Sequence, residues 1–261
     1  MLFSWLKRRR RRRLLARPFP LAWEDHVGAL PFFPQLADEE KRRLRDILRV
    51  IVEEKSWEGC GGLEVDEEIQ VTIAAQAALL ILAMEHDHFR RVQSILVYPG
   101  AFEVPATRRG PGGVLQVSTS PVLGLAQLRG PVVLAWDEVR RGGKNWRDGR
   151  NVVLHEFAHK LDMLDNCADG TPPIRCREQY AAWVRIMSDE YEELVERAEK
   201  GKPTLLDKYG ATNPAEFFAV STECFFEKSL SMERKHPSLH DLLRTYYGQD
   251  PAARERRERK R

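Results

Sequence analysis

The chain has 261 residues, enough to bury a substantial core as one large domain or two small ones. Its 42 basic and 39 acidic residues leave a formal net charge of +3, with the positive charge concentrated at the two ends. Without Lys7–Arg13 and the tail 254–261, 29 basic residues face 37 acidic ones, which argues against a nucleic-acid-binding surface on the folded body.

The first 20 residues place a few apolar residues before a run of arginines. Secretory signals have the opposite order, with the charges first and a longer apolar run after them, so we expect no cleavable signal. Residues 1–20 are predicted to form a basic, disordered tail. The alternative is weak contact of this segment with an anionic membrane surface.

Four cysteines are present, and none has the spacing of a metal-binding pair. Without a signal peptide they are expected to be reduced thiols in a cytoplasmic protein. The alternative is a disulfide between Cys167 and Cys176, which flank a short predicted loop.

Apolar periodicity predicts most of the helices. Asp38–Glu54 has the pattern of an amphipathic helix, and the apolar stretch Ile69–Met84 is too short for a membrane span and predicts a buried core helix. Further helices are predicted over Arg177–Lys200, from Asn213 to about Lys228, and over Leu239–Tyr247. Segments rich in β-formers predict strands at Ser94–Tyr98, Val114–Ser118 and Val132–Trp136. A glycine-rich polar loop is expected over Arg140–Arg150.

The segment His155–His159 reads His-Glu-Phe-Ala-His and is the strongest functional signal in the chain. Residues four apart lie on one face of a helix, so both imidazoles can reach one Zn²⁺ while Glu156 lies beside a water molecule on that metal. The flanking apolar residues repeat at helical spacing, and Asp148 or Asn151 can cap the start of this helix. The alternative is a pair of core histidines that are satisfied by local hydrogen bonds.

A catalytic zinc site needs a third protein ligand. Asp165 is the local candidate, because it follows His159 by six residues. Enzymes that take their third ligand from this position usually have a glycine three residues earlier, where the chain leaves the helix. Asp162 occupies that place here and offers no such freedom.

Two more candidates lie on a later helix that begins at Asn213 and Pro214. Glu216 is in its first turn, where it could equally complete a capping box by bonding back to the cap. Glu223 lies seven residues further along the same face. Glu223 and Asp162 also suit the role of accepting an N–H from a ligand histidine.

Tyr209 lies seven residues before Glu216 in a predicted turn. A phenol near the open position of a zinc site can donate a hydrogen bond to the oxyanion that forms during attack. A tyrosine in a loop is more often a packing residue, so the sequence leaves both roles open. The segment His86-Asp87-His88 is interpreted as a surface turn rather than a second metal site.

Four segments, in order along the chain, resemble the Mlc titration factor A family. They are Ser94–Pro99, Gly130–Val139, His155–Asp162 and Tyr209–Val220. The resemblance implies a bacterial zinc metallopeptidase with a catalytic core similar to that of anthrax lethal factor. It implies that His155, His159 and Glu216 bind zinc, that Glu156 is the general base and that Tyr209 assists at the oxyanion. It also implies aminopeptidase activity on small substrates and, for the founding member, binding of the glucose repressor Mlc.

Together these patterns predict an α+β fold that is mainly helical, with a small sheet beside a zincin-type HExxH helix. We expect a single domain over residues 21–250, with a helical part to about residue 90 and a catalytic part after it, and a charged tail at 251–261. The predicted function is a zinc-dependent peptidase of aminopeptidase type, and the substrate is expected to pair with a sheet edge beside the zinc helix. The alternative is a non-catalytic protein that sequesters a transcription factor.

Overall fold

The computed structural model describes residues 2–84, 89–109, 115–128, 130–174 and 176–259. Within these ranges the chain forms eleven α-helices and six β-strands. The helices are α1 (Leu2–Leu15), α2 (Leu21–Gly28), α3 (Asp38–Glu54), α4 (Glu67–Leu80), α5 (Trp136–Lys144), α6 (Val152–Asp162), α7 (Arg177–Glu199), α8 (Pro214–Glu227), α9 (Ser229–Lys235), α10 (Pro237–Tyr247) and α11 (Pro251–Glu258). The strands are β1 (Ser56–Gly59), β2 (Ser94–Tyr98), β3 (Phe102–Arg109), β4 (Leu115–Val122), β5 (Gly124–Ala126) and β6 (Val132–Ala135). The predicted turn at 86–88 lies outside the described residues.

Four of the strands form a mixed sheet in the order β1-β2-β6-β5. β1, β2 and β6 run parallel, whereas β5 is antiparallel to β6, with Gly124 opposite Leu134. β5 therefore forms one edge of this sheet, and it packs against α6. β3 and β4 form a separate antiparallel hairpin. The α+β, mainly helical fold with a small sheet is thus confirmed.

The core is one cluster of buried apolar side chains that joins the N-terminal helices to α6 and α8. The predicted core helix is α4. Asp66 caps it, and the side chain of this residue accepts a hydrogen bond from the N–H of Ile69. From Ile69 to Leu80 every residue of α4 except Gln70 is buried, because α3 and α6 both pack against it. None of the described helices is long and apolar enough to cross a membrane. All four cysteines are free thiols, so Cys167 and Cys176 are not joined.

The prediction that residues 1–20 are disordered is wrong for α1. Lys7 and Arg11 pair with Glu54 at the end of α3, and Arg10 pairs with Glu53 at 2.8 Å. Burial raises the pKa of Glu54, but the hydrogen bonds and charges of Arg11 and Lys7 outweigh it and lower that pKa. The prediction failed because it rested on the composition of this segment and left out acidic residues that lie 43 positions further along the chain.

The charged tail at 251–261 is also folded as far as the structure describes it. The side chain of Asp250 caps α11 by accepting a hydrogen bond from the N–H of Ala253 at 2.7 Å. Arg254 is 5% exposed and donates to Glu40 and to Gln249. This arginine is therefore part of the packed structure and not of a solvated tail.

The expected loop at 140–150 is in part helical, because α5 continues through two glycines. A Cβ on Gly142 would lie 3.2 Å from the Cα of Asn151, and one on Gly143 would lie 3.4 Å from the Cδ2 of Leu30. Glycine here permits close packing of α5 on its neighbours. The interpretation of these residues as loop formers was therefore wrong.

Gly170 lies where α6, α7 and α8 meet, and we expect Gly170→Ala to destabilise the fold. Its φ is +78°, and a Cβ there would lie 2.3 Å from the carbonyl oxygen of Pro214. Its N–H donates to Asp162 at 2.9 Å, and its carbonyl accepts the indole N–H of Trp183 at 3.1 Å. The free energy of unfolding, measured by urea titration, should fall by roughly 2–4 kcal/mol. The cost of holding an alanine in the left-handed backbone conformation adds to the cost of the clash with the backbone of Pro214.

The matched control for this substitution is Gly201→Ala. Gly201 has a similar φ of +65° with nothing within 4 Å of the added Cβ, so only the backbone strain of about 1 kcal/mol is expected there. Equal losses for the two variants would contradict a specific packing role of Gly170.

Candidate metal centre

Helix α6 brings the two motif histidines together. The side chain of Asn151, one of the two predicted caps, accepts a hydrogen bond from the N–H of Leu154 at 3.0 Å and so starts the helix. The Nε2 atoms of His155 and His159 lie 3.2 Å apart, as the spacing of four residues predicts. His159 is buried, whereas His155 is partly exposed. The pair therefore faces the boundary between core and solvent.

Helix α8 brings Glu216 to the same point. Asn213 caps this helix by accepting the N–H of Glu216 at 3.0 Å. The carboxylate of Glu216 points to the histidines, with its Oε2 at 2.9 Å from Nε2 of His155 and 3.4 Å from Nε2 of His159. Burial raises the pKa of Glu216, but its contacts with both histidines outweigh it and lower that pKa to about 2. The three ligand atoms form a group that could hold a metal ion.

Glu223 lies on the other side of His155. Its Oε1 is 2.7 Å from Nδ1 of His155, and its other oxygen accepts the backbone N–H of Asn151. Glu223 therefore orients the imidazole and holds the start of α6, which is the supporting role considered for it. Burial lowers the pKa of His155, but hydrogen bonds with Glu216 and Glu223 outweigh it and raise that pKa well above the usual value. The two carboxylates beside this ring thus favour a positive charge at His155.

The remaining candidates do not join the group. Asp165 is exposed, and its Oδ1 accepts the N–H of Cys167 at 2.9 Å. Asp162 is buried, and its Oδ2 accepts the N–H of Gly170. Its Oδ1 and the Nδ1 of His159 are both buried and have no hydrogen-bond partner in the described structure. Asp162 therefore anchors the end of α6 and does not pair directly with His159.

Glu156 lies against the edge strand. It is 5% exposed, and a Cβ on Gly124 in β5 would lie 2.5 Å from its Oε1. Burial raises the pKa of Glu156, with the charges of His155 and His159 acting in the opposite direction. A carboxylate whose pKa is raised toward neutrality suits both the uptake and the release of a proton.

Tyr209 lies on the solvent side of the histidines. It belongs to the 3₁₀ turn Lys208–Ala211, which Asp207 caps by accepting the N–H of Tyr209. The ring centroids of Tyr209 and His155 are 5.9 Å apart, and Tyr209 is 55% exposed. Burial, together with the charges of Glu216 and Glu156, raises the pKa of the phenol, so it stays a hydrogen-bond donor at neutral pH.

The sequence reasoning missed Lys160, which links α6 to the turn that follows the edge strand. Lys160 is 5% exposed, and its Nζ donates to the carbonyl oxygens of Gln127 at 2.5 Å and Gly130 at 2.9 Å, between β5 and β6. Burial lowers the pKa of Lys160 to about 8. A lysine next to His159 on a largely buried helix was the available signal, because a buried ammonium needs partners.

The chain matches a known protein family along most of its length. The family described as glucose-regulated metallo-peptidase M90 matches residues 5–248. An uncharacterized protein of Synechocystis sp. is 38% identical over 244 residues, which cover 93% of this chain and 89% of that protein. Two proteins named Mlc titration factor A are each 32% identical. The one from Serratia proteamaculans aligns over 89% of this chain and 88% of its own length, and the one from Edwardsiella ictaluri over 87% of both. The chain therefore belongs to the glucose-regulated metallopeptidase family M90, as its resemblance to the Mlc titration factor A proteins predicts.

Proposed function

We propose that this protein is a zinc-dependent peptidase in which His155, His159 and Glu216 bind the metal. Two imidazole nitrogens and one carboxylate oxygen are a common ligand set of catalytic zinc sites. Ligands about 2.0–2.1 Å from a tetrahedral zinc lie roughly 3.3 Å apart. The three ligand atoms here are separated by 2.9, 3.2 and 3.4 Å. The observation that carries the proposal is this fit between the distances and a zinc site. It joins His155 of α6 with Glu216 of α8, which lies 61 residues further along the chain.

The side chains around the site can supply the proton transfers of peptide hydrolysis. When bound, Zn²⁺ supplies a Lewis acid that lowers the pKa of water and polarises a carbonyl. Glu156 takes a proton from the attacking water and later delivers it to the leaving amine. Glu223 holds His155 in the tautomer whose N–H is on Nδ1, which leaves Nε2 free to bind metal. The phenol of Tyr209 donates a hydrogen bond to the developing oxyanion.

The substrate is proposed to pair with β5. This strand is an edge of the sheet, is antiparallel to β6 and lies beside Glu156. A peptide that adds to such an edge is fixed by main-chain hydrogen bonds. Its backbone would then run along α6, with a carbonyl carbon within reach of Glu156. The sequence predicts an edge of this kind without assigning the strand.

The direct test is reversible removal of the metal. The purified protein is incubated with an unblocked peptide, then with a chelator, and then with one equivalent of Zn²⁺ per chain. Hydrolysis should stop with the chelator and return with zinc. Hydrolysis that continues unchanged in the metal-free protein would contradict the proposal.

Gly124→Ala is expected to reduce kcat/KM at least about tenfold while metal content stays the same. The added methyl group would lie 2.5 Å from Oε1 of Glu156 and 2.6 Å from Cγ2 of Val152, so either the carboxylate or β5 must move. Gly28→Ala is the control, because nothing lies within 4 Å of its added Cβ. Steady-state kinetics and metal analysis on the same samples make the comparison, and an unchanged rate for Gly124→Ala would contradict the placement of β5 at the reacting groups.

Tyr209→Phe is expected to lower kcat by about tenfold to a few hundredfold with little change in KM, because the phenolic donor is used only in the transition state. Tyr180→Phe, on the exposed face of α7, is the control and should leave both constants unchanged. A KM effect without a kcat effect would assign Tyr209 to substrate binding instead.

The aminopeptidase preference is proposed on the family resemblance alone. Peptides of one sequence with free and acetylated N-termini test it, and equal cleavage of both would show an endopeptidase. A cytoplasmic location is likewise proposed, with the four free cysteines in support.

A second candidate function is binding of a transcriptional repressor, which the name Mlc titration factor A suggests for the relatives. Its test compares the wild type with His155→Ala for binding to purified Mlc protein. Equal binding by the two would favour a regulatory role that is separate from hydrolysis. No measurable binding by either would remove this candidate.

A further inference from the structure

The outward face of α1 carries positive charge that takes no part in the ion pairs between α1 and α3. α1 packs on α3 through Lys7, Arg10 and Arg11, which pair with acidic residues there. At 100° per residue, the side chains opposite this contact fall on one arc of the helix. They are Trp5, Leu6, Arg9, Arg12 and Arg13, and all five are exposed. Arg9, Arg12 and Arg13 have no acidic partner among the described residues.

This charge contrasts with the rest of the molecule. Residues 1–20 hold eight basic residues and no acidic one, which leaves 34 basic and 39 acidic residues in 21–261. Arginines that follow each other on one helix without acidic partners repel, and a partner with many negative charges would offset this repulsion along the whole face. The charge of this face therefore fits a polyanion.

The apolar residues on the same face distinguish between polyanions. Trp5 is 50% exposed and Leu6 is 47% exposed, and the guanidinium of Arg9 lies 5.4 Å from the centre of the Trp5 ring. Tryptophan and leucine beside arginines are typical of helices that lie in the headgroup region of a bilayer. A nucleic acid duplex would offer phosphates but no apolar layer for Trp5 and Leu6.

We propose that α1 docks this protein on anionic phospholipid membranes, with Trp5 and Leu6 inserted among the headgroups and Arg9, Arg12 and Arg13 on their phosphates. The helix is already folded and held by α3, so binding does not have to pay for ordering it. α1 packs on α3, α3 packs on α4, and α4 packs on α6, which carries the two histidines. The helices α3 and α4 therefore lie between α1 and α6, and the outward face of α1 points away from them. The proposal is independent of the peptidase activity.

The test is sedimentation of the full-length chain with vesicles. One set contains phosphatidylcholine alone, and the other contains equal parts of phosphatidylcholine and phosphatidylglycerol. The protein should bind the anionic vesicles at least about tenfold more tightly, and binding should weaken as salt rises from about 0.1 M to 1 M, because the Debye length shrinks from about 10 Å to 3 Å.

Two variants separate the charged and apolar contributions. The triple variant Arg9→Gln, Arg12→Gln, Arg13→Gln should bind anionic vesicles about a hundredfold more weakly, at about fivefold for each arginine near the surface. The double variant Trp5→Ser, Leu6→Ser should lose at least about tenfold, and this loss should persist at high salt. Neither variant removes a residue that holds α1 on α3, and a thermal melt like that of the wild type checks this.

The matched control is the triple variant Arg256→Gln, Arg257→Gln, Arg259→Gln, which removes the same charge from the end of α11 and from the residue that follows it. It should bind like the wild type. Equal weakening by the two triple variants, or equal binding to zwitterionic and anionic vesicles, would overturn the proposal. Tighter binding to a DNA duplex than to vesicles at equal phosphate concentration would assign the face to nucleic acid and also overturn it.

Discussion

Glu156→Gln is expected to lower turnover by about 10²–10⁴-fold while the metal stays bound. The amide has the size and shape of the carboxylate but cannot take a proton from water at neutral pH. Glu156 is buried against Gly124 of β5, so the variant side chain should occupy the same place. The loss should therefore appear in kcat and kcat/KM alike, with normal folding and normal zinc content.

The control for this substitution is Glu68→Gln, which changes charge in the same way on the exposed first turn of α4. It should be fully active. Metal content is measured by elemental analysis on the same preparations. If Glu156→Gln hydrolyses peptides as fast as the wild type, Glu156 is not the general base and the proposed mechanism is wrong.

Glu216→Gln is expected to weaken zinc binding by more than about a hundredfold and to remove hydrolysis with it. The lost carboxylate contacts both Nε2 atoms, at 2.9 and 3.4 Å, and its pKa of about 2 keeps it negatively charged at neutral pH. Replacing residues that only orient a ligand typically costs 10–100-fold in metal affinity, and loss of a ligand should cost more. Competition with a chromophoric zinc chelator measures the affinity.

Two comparison variants make this result specific. Glu223→Gln keeps all three ligands and disturbs only the contact with Nδ1 of His155, so it should weaken zinc binding by about 10–100-fold. Asp165→Asn changes the other sequence candidate, which is exposed and away from the group, and should bind zinc normally. Loss of zinc from Asp165→Asn and not from Glu216→Gln would contradict the ligand assignment.

The histidine pair was predictable because its geometry is local. A spacing of four residues and a buried helix place His155 and His159 side by side whatever the rest of the chain does. Glu216 differs, since Asn213 and Glu216 satisfy the pattern of a capping box as well as that of a ligand. The docking of α8 on α6 decides between the two, and neither helix alone contains that information. Only the family resemblance separated the two interpretations in advance.

The edge strand was beyond sequence reasoning for a related reason. β5 has three residues and begins with glycine, so it shows no alternation and little β-propensity. It forms because β6 offers a partner and because Gly124 allows the strand to approach Glu156 closely. Lys160 then fixes the following turn. Each of these contacts joins parts of the chain that have no short-range pattern in common.

The terminal helices show the limit of charge counting. Lys7, Arg10 and Arg11 belong to a run that composition alone describes as a solvated tail. Two glutamates at the end of α3 convert part of that run into a docked helix. The exposed arginines on the outward face of α1 remain without an acidic partner among the described residues, so the packing of α1 on α3 does not explain them.

We infer that one metal ion is shared by two imidazoles of α6 and one carboxylate of α8. Crystals of the zinc-loaded protein, with diffraction data collected on both sides of the zinc absorption edge, test it most directly. We expect one anomalous peak per chain, about 2.0–2.2 Å from Nε2 of His155, Nε2 of His159 and the carboxylate of Glu216. A peak that lies elsewhere, or a protein that takes up no stoichiometric metal, would contradict it.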